Sequence, residues 1–422
     1  MTDFLHLPHG PVTLTNVTVP ACLLGQGGGL IRAELSIADG AISGPQPLAI
    51  DMGRAMVLPA FVDMHTHLDK GHIWPRSPNP DGTFMGALAA AGADCKANWA
   101  ASDVRRRADF SLRSAYAHGT RAIRTHLDSA SPQDDISWPV FADLRDDWEG
   151  RIELQAACLI GCEGFSTHGA FAHTADLVAA HGGVLGMVTY PVPDIEARVR
   201  DFLAMAAGRG LSADFHVDET LDPGSNTLRV IAEAVLQSGF AAPVVVGHCC
   251  SVSAMAEVDA LATLDIVARA GLHVVSLPMC NLYLQDRSAT RTPRMRGITL
   301  VHEMKARGIN VGFASDNTRD PFYAYGDLDM LEVLREATRI GHLDHSAPDW
   351  VQSVLTNPAR ACGFDAPSLA VGAPADLVIF KARNWTELLS RPQSDRIVLR
   401  DGVQIDRTLP DYAELDDLMG TP

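Results

Sequence analysis

Lysine is nearly missing from this 422-residue chain: of 34 basic residues only Lys70, Lys96, Lys305 and Lys381 are lysines, and the rest are arginines. Against 51 acidic residues this leaves a formal net charge of -17. Binding to phosphate backbones needs clustered positive charge, so nucleic acid is excluded as a partner. Apolar runs of about eighteen residues, the length that spans a bilayer, are also lacking, and no membrane association is expected. The opening "MTDFLHLPHGPVTL" has neither the basic start nor the apolar core of a signal peptide, so a cytoplasmic location is expected. Eight cysteines in so long a chain make no disulfide framework, and "CLIGC" (158–162) and "HCC" (248–250) lack zinc-knuckle spacing. Most should be buried, reduced thiols.

What is present is a substantial apolar fraction, 47%, arranged in a recurring pattern. Runs suited to buried parallel strands occur at 60–67, 121–128, 152–160, 184–190, 212–219, 243–249, 272–278 and 309–316, with helical periodicity between them, as in "TLRVIAEAVLQSG". Eight strand-helix units predict a (β/α)8 TIM barrel over residues 59–363. The flanks, 1–58 and 364–422, read differently: "PVTLTNVTV", "AELSIADGAISG", "ADLVIFKA" and "IVLRDGVQI" are short strands with Gly and Asp turns. They are expected to pair into one small β-sandwich built from both termini.

Several of the barrel runs end on polar residues. "AFVDMHTHLDK" places His65 and His67 on the same face of a strand, because side chains alternate. In a barrel that face is the interior, and its C-terminal end is where catalytic groups sit. The fifth run ends in "HVDE" with His216 and Glu219, the sixth at His248, and the eighth in "ASDN" with Asp316 and Asn317. Brought into one circle, His65, His67, His216 and Asp316 supply three nitrogens and a carboxylate oxygen. That set suits one divalent ion, Zn²⁺ or Fe²⁺, with a position left for water. Core histidines satisfied by hydrogen bonds are the bland explanation for one such pair, but four matched strand ends make it a poor one, since buried unpaired polar groups are costly. Asp316 would accept a proton from water, His248 would hold that water in line, and Glu219 would shuttle a proton. His126, ending "RAIRTH", is expected to steady a ligand by a hydrogen bond rather than bind the metal.

The segments "PAFVDMHTHLDK", "HVDE", "GHC", "NLYLQDRSATRTPRMRGITLVHEM" and "GFASDNTRDPFYAYGDLDML" resemble the amidohydrolase superfamily, most closely its cytosine deaminase branch, over nearly the whole chain. The resemblance implies the same roles for the same positions: His65, His67, His216 and Asp316 as metal ligands, Glu219 as the acid-base residue and His248 as the water-orienting histidine. Binuclear members bridge their metals with a carboxylated lysine on a middle strand; no lysine lies between Lys96 and Lys305, so a mononuclear site is expected. The implied reaction is hydrolytic deamination of a cytosine-like ring, cytosine or 5-methylcytosine. The H-x-E and P-C-x-x-C signature of the other zinc deaminases is missing.

Departures from the branch bear on the substrate. Asn317 stands where cytosine deaminases carry a second aspartate, and Cys162 or Glu163 where they carry a base-gripping glutamine. Lys70, Trp74 and Phe322 follow strands one and eight and are candidates to line the pocket; Tyr283, Gln285 and Arg287 match a family segment near its mouth. "HLDK" and "SDNTRD" also resemble hydrolases of ammelide-like aminotriazines, and an aminopurine or another cyclic amide is a further alternative. A scaffold without catalysis fits less well, because scaffolds lose ligands and this chain keeps them all. A small heterocyclic substrate is the expected partner, with homo-oligomer formation an expectation drawn from relatives.

Overall fold

Strand ladders account for both ends and the middle of the chain, and the computed structural model describes residues 4–295 and 297–420. β1 (Val12–Pro20), β2 (Leu30–Ala38), β3 (Ala41–Ser43), β4 (Ala49–Asp51) and β5 (Met56–Pro59) lead into β6 (Phe61–Thr66), with only Ala60 between the last two. Helical segments then separate β7 (Thr120–Asp128), β8 (Glu153–Leu159), β9 (Leu185–Thr189), β10 (Ala213–Val217), β11 (Val244–His248), β12 (His273–Ser276) and β13 (Asn310–Phe313). β14 (Leu377–Phe380), β15 (Ile397–Arg400) and β16 (Val403–Gln404) complete the set. The expected middle strands are all found within a few residues of their predicted ends.

Their composition explains them. β10 and β11 are buried at every position, as parallel strands covered on both faces must be. The helix Thr227–Ser238 buries Leu228, Ile231, Ala232 and Val235, an i, i+3, i+4, i+7 stripe, and stops at Gly239 with φ 64°.

The middle strands pair in parallel as two arcs, β6-β7-β8 and β9-β10-β11-β12-β13. Isolated parallel bridges link the arcs at both seams: Thr66 to Asp316 on one side, Ala157 to Val184 and Gly161 to Val188 on the other. At the second, the backbones approach so closely that a Cβ on Gly186 would collide with the Cys158 carbonyl, which only glycine avoids.

The terminal strands differ from the expected sandwich. They form one eight-stranded sheet in the order β16-β15-β14-β5-β1-β2-β3, with β4 on β1. The cause is β5, which pairs parallel with β1 and antiparallel with β14, so the two ends of the chain join one ladder. That sheet keeps its own core of Leu14, Val17, Ile37, Val57, Leu377 and Ile379. Among the described residues no helix is long and apolar enough to cross a membrane.

Candidate metal centre and reaction site

Alternation along β6 and β10 aims His65, His67 and His216 inward from strand ends. All three are buried, and His67 Nε2 lies 3.4 Å from His216 Nε2. Asp316 Oδ1 approaches to 3.3 Å from His67 Nε2 and 3.6 Å from His65 Nε2. Two turns hold this geometry in the left-handed backbone region, where non-glycine residues are uncommon: His248 has φ 65° and Asp316 φ 62°. Asp316 is clamped by β6, its N–H donating to the His65 carbonyl at 2.9 Å and its carbonyl accepting from Thr66 Oγ1 at 2.8 Å. Between His216 and Glu219, Asp218 has φ 46° and accepts bonds from Ser225 Oγ, Thr227 Oγ1 and the Leu228 N–H at 2.6, 2.8 and 3.0 Å. That anchored turn sets the position of Glu219.

The donor atoms fit a metal. Both oxygens of Asp316, both nitrogens of His65, and Nδ1 of His67 and of His216 are buried without a hydrogen-bond partner, a costly state that a cation would relieve. One ligand atom from each of His65, His67, His126 and His216, and likewise from each of His65, His248 and Asp316, lies within 4.8 Å of the others in its group. Burial, and then neighbouring charge, pushes the three histidines well below the ordinary imidazole range. They are therefore neutral, the form that binds metal. Burial raises the Asp316 carboxyl, with Asp320 adding to the rise. Glu219 is raised by burial and then by Asp316, which suits a residue that must carry a proton at neutral pH.

Around this centre the structure sorts the remaining candidates. His126 joins the imidazole cluster, its ring 4.1 Å from that of His65, and its Nε2 donates to Asp214 Oδ1 at 3.1 Å. Arg124 Nη1 donates to the other oxygen of Asp214 at 2.8 Å, so a buried Arg-Asp-His chain supports the floor of the site. Lys70 is buried and paired with Asp128 at 3.0 Å, with Phe322 under its ammonium at 5.3 Å. Asn317, expected at the ring edge, has both amide ends committed: Nδ2 donates to Asp320 Oδ2 at 2.8 Å and Oδ1 accepts from Cys280 Sγ at 3.4 Å. Cys162 is buried with its thiol toward the Tyr190 carbonyl, and Glu163 is exposed beside it. Among the described residues no hydrogen bond or ion pair ties either to the cluster. Trp74 is half-buried and bonded through its N–H to the Arg319 carbonyl at 2.8 Å. Gln285 is buried at the edge of a cavity of about 440 Å³ shared with Tyr283, Arg287, Tyr323 and Tyr325.

Sequence reasoning missed Asn281. Its Nδ2 donates to Glu219 Oε1 at 3.0 Å and lies 3.0 Å from His248 Nδ1. It also missed Asp214, whose partners Arg124 and His126 lie on another strand, and Asp320, which is bonded to Asn317, Phe322 and Tyr323 of its own loop. The alternation along β10 that puts His216 inward does the same for Asp214 two residues earlier, and that was the one available signal.

Neutral imidazoles and a carboxylate converging at the C-terminal ends of parallel strands, with a raised glutamate alongside, define a metal-dependent hydrolase. A family model described as the amidohydrolase family matches residues 158–406. Pterin deaminase of Rhizobium rhizogenes is 54% identical over 421 residues, covering 96% of each chain. The chain therefore belongs to the amidohydrolase family, and within it to the hydrolytic deaminases. An N-isopropylammelide isopropyl amidohydrolase of a Pseudomonas species is 22% identical over 399 residues, 89% of this chain and 94% of that one. The solved structure of 5-methylcytosine deaminase from Klebsiella pneumoniae, liganded with 5-fluorocytosine, matches with TM-score 0.79 at 25% identity, over 95% of this chain and 98% of that chain. The branch anticipated from the motifs is thus the branch found.

Proposed function

We propose that this protein hydrolytically deaminates a pterin, a bicyclic ring whose amine-bearing carbon sits between two ring nitrogens. The observation that carries the reading is the 54% identity to a pterin deaminase over 96% of the chain, together with the intact set His65, His67, His216, Glu219, His248 and Asp316. Cytosine presents the same amidine unit, N=C–NH₂, in a single ring, so the reacting groups expected for cytosine serve a pterin equally well. What separates the two substrates is the room around the ring and the contacts at its far edge. We read the two bridged arcs as one (β/α)8 barrel that gathers these groups at its mouth.

His65, His67, His216 and Asp316 would hold a single divalent ion, Zn²⁺ or Fe²⁺, both of which accept imidazole and carboxylate. Such an ion lowers the pKa of its water from 15.7 to about 7, making a nucleophile available at neutral pH. The rest falls to the protein. Asp316 takes a proton from the attacking water. Glu219 protonates the ring nitrogen beside the amine-bearing carbon, which makes that carbon electrophilic. Water oxygen bonds to the carbon, the proton taken by Asp316 passes to the amine, and the exocyclic C–N bond breaks to release ammonia while Glu219 takes back the hydroxyl proton as the carbonyl forms. His248, buried beside Glu219, donates to the oxygen as charge develops on it.

A second reading, cytosine or 5-methylcytosine, is favoured by the match to a 5-methylcytosine deaminase holding 5-fluorocytosine. Ammonia release by the metal-loaded enzyme from pterin, guanine, cytosine, 5-methylcytosine and ammelide separates the candidates. The expected outcome is a kcat/KM for pterin at least ~100-fold above that for any single-ring substrate, since a pocket built for two rings leaves buried groups unpaired with one. Faster turnover of cytosine would overturn the pterin assignment.

A further inference from the structure

Asn281 lies on the short helix Pro278–Leu284, is 1% exposed, and stands between the two residues that act on the substrate. Its backbone is fixed on both sides: its N–H donates to the Leu277 carbonyl at 3.1 Å, and its carbonyl accepts from the Gln285 N–H at 3.0 Å. Gly297 closes over that carbonyl, and a Cβ there would lie 2.9 Å from it. The backbone from which the carboxamide projects is therefore held in place.

Its Nδ2 carries two hydrogens and no lone pair. With Glu219 Oε1 and His248 Nδ1 each at 3.0 Å, one hydrogen goes to each. The reversed amide would place Oδ1 against Glu219 Oε1, tolerable only while Glu219 is protonated. A proton shuttle must pass through its ionised form in every cycle, so that orientation fails for half of the reaction. His248 Nδ1 is then an acceptor. A neutral imidazole has one proton, and for His248 it resides on Nε2. Because Nδ1 accepts and bears no proton, the ring is neutral. His248 Nε2 is itself buried and without a partner, and His248 is grouped with His65 and Asp316 as a possible ligand. A nitrogen that bears a proton offers no lone pair to a metal.

We propose that Asn281 is a positioning residue: it fixes His248 as an Nε2–H donor aimed into the reaction centre, keeps that ring out of the metal's ligand set, and holds Glu219 by Oε1 so that Oε2 carries the shuttled proton. The role for Glu219 rests on the function proposed above; the tautomer of His248 does not depend on which ring is the substrate.

Protein labelled with ¹⁵N-histidine reports the tautomer directly through long-range ¹H–¹⁵N spectra, with the His248 signals assigned by their loss in His248→Gln. The parent protein, metal-free and metal-loaded, is expected to show the Nε2–H form. Asn281→Asp keeps the size of the side chain but offers only acceptors, so His248 should switch to Nδ1–H. Its kcat should fall by about 10²- to 10⁴-fold, the usual worth of a positioned proton-transfer group. KM should change by less than ~10-fold. Asn281→Ala, which fills no acceptor role, should lose less. An Nδ1–H signal in the parent overturns the proposal without any variant having to fold, and so does a switched tautomer in Asn281→Asp with parental kcat. If no substrate in the panel releases ammonia, the pterin reading fails while the spectrum still decides the tautomer.

Discussion

Two buried clusters of ionisable residues in this protein differ in how their polar atoms are satisfied. Arg76, Asp94, Asp103 and Arg107 sit where the loop after β6 meets the helices Phe84–Asn98 and Ala101–His118. There every carboxylate oxygen is bonded: Asp94 accepts from Arg76 Nε and Nη2 at 2.9 and 2.8 Å, from Asn98 Nδ2 at 2.7 Å and from Trp99 Nε1 at 2.7 Å. Asp103 accepts from Arg76 Nη1 at 2.6 Å and Arg107 Nε at 2.8 Å. In the metal centre neither Asp316 oxygen nor either His65 nitrogen has a partner. A buried polar group left unpaired costs about 1–3 kcal/mol, and the centre holds several. Satisfied clusters keep a fold together; a cluster of orphaned donor atoms is shaped for something that arrives later.

Glu219→Gln tests that distinction with the largest expected effect. The isostere cannot carry a proton, so ammonia release should fall by about 10²- to 10⁴-fold. Metal content, measured on the purified protein, should stay at the parental level. The melting temperature should hold or rise, because a buried ionisable group has been replaced by a neutral one. Loss of metal together with activity would place Glu219 among the ligands and blur the line between the chemistry and its support.

Arg76→Met should do the reverse. Removing one member of a satisfied buried network leaves carboxylates without their partner, a loss of about 3–5 kcal/mol in chemical denaturation. The kcat per folded molecule should be unchanged. The network also has a pH signature. Burial alone would raise the Asp103 carboxyl, but Arg76 and Arg107 hold it below its ordinary value. A depressed carboxylate adds stability above its unfolded pKa of about 3.9 and loses it as pH falls through the lower folded value. The acid unfolding midpoint of the variant should therefore lie at higher pH than that of the parent. A variant as stable as the parent would show that bonded carboxylates here are no more structural than the orphaned ones.

The two clusters were unequally legible in the sequence. His65 and His67 announce themselves because strand alternation puts residues two apart on one face, and "HVDE" and "ASDN" repeat the signal at other strand ends. The eight middle strands were readable for a similar reason, since buried β-branched runs between periodic helices have little other use. Asn281 carried no such mark. Its partners are 62 and 33 residues away, and only the packing of its helix against two strand ends brings them together. Lys70 carries no local sign of its partner, because Asp128, 58 residues on, comes beside it only through the β6-β7 pairing. The single terminal sheet was hidden likewise: strand character is local, whereas the pairing of β5 with β14 joins segments more than 300 residues apart. The left-handed turns at His248 and Asp316 use two of the non-glycine residue types that tolerate that region best, but nothing local marks which His or Asp will adopt it.

The smallest effect tests whether the orphaned nitrogens are held in place or merely collected. Gly247 on β11 faces His65 across the interior, and a Cβ there would lie 3.1 Å from His65 Cε1 and 3.3 Å from its Nδ1. Gly247→Ala therefore crowds one ligand ring without touching the other three ligands or the Arg76 network. If packing preorganises the centre, as a metal site with fixed ligand geometry requires, a shift of a few tenths of an ångström should weaken metal binding about tenfold, or ~1.4 kcal/mol, in a chelator competition. Stability of the metal-free protein should change by no more than about 1–3 kcal/mol, the ordinary range for an added methyl in a packed interior. Parental affinity in this variant would mean that the rings adjust freely, and their missing partners would then reflect looseness rather than readiness.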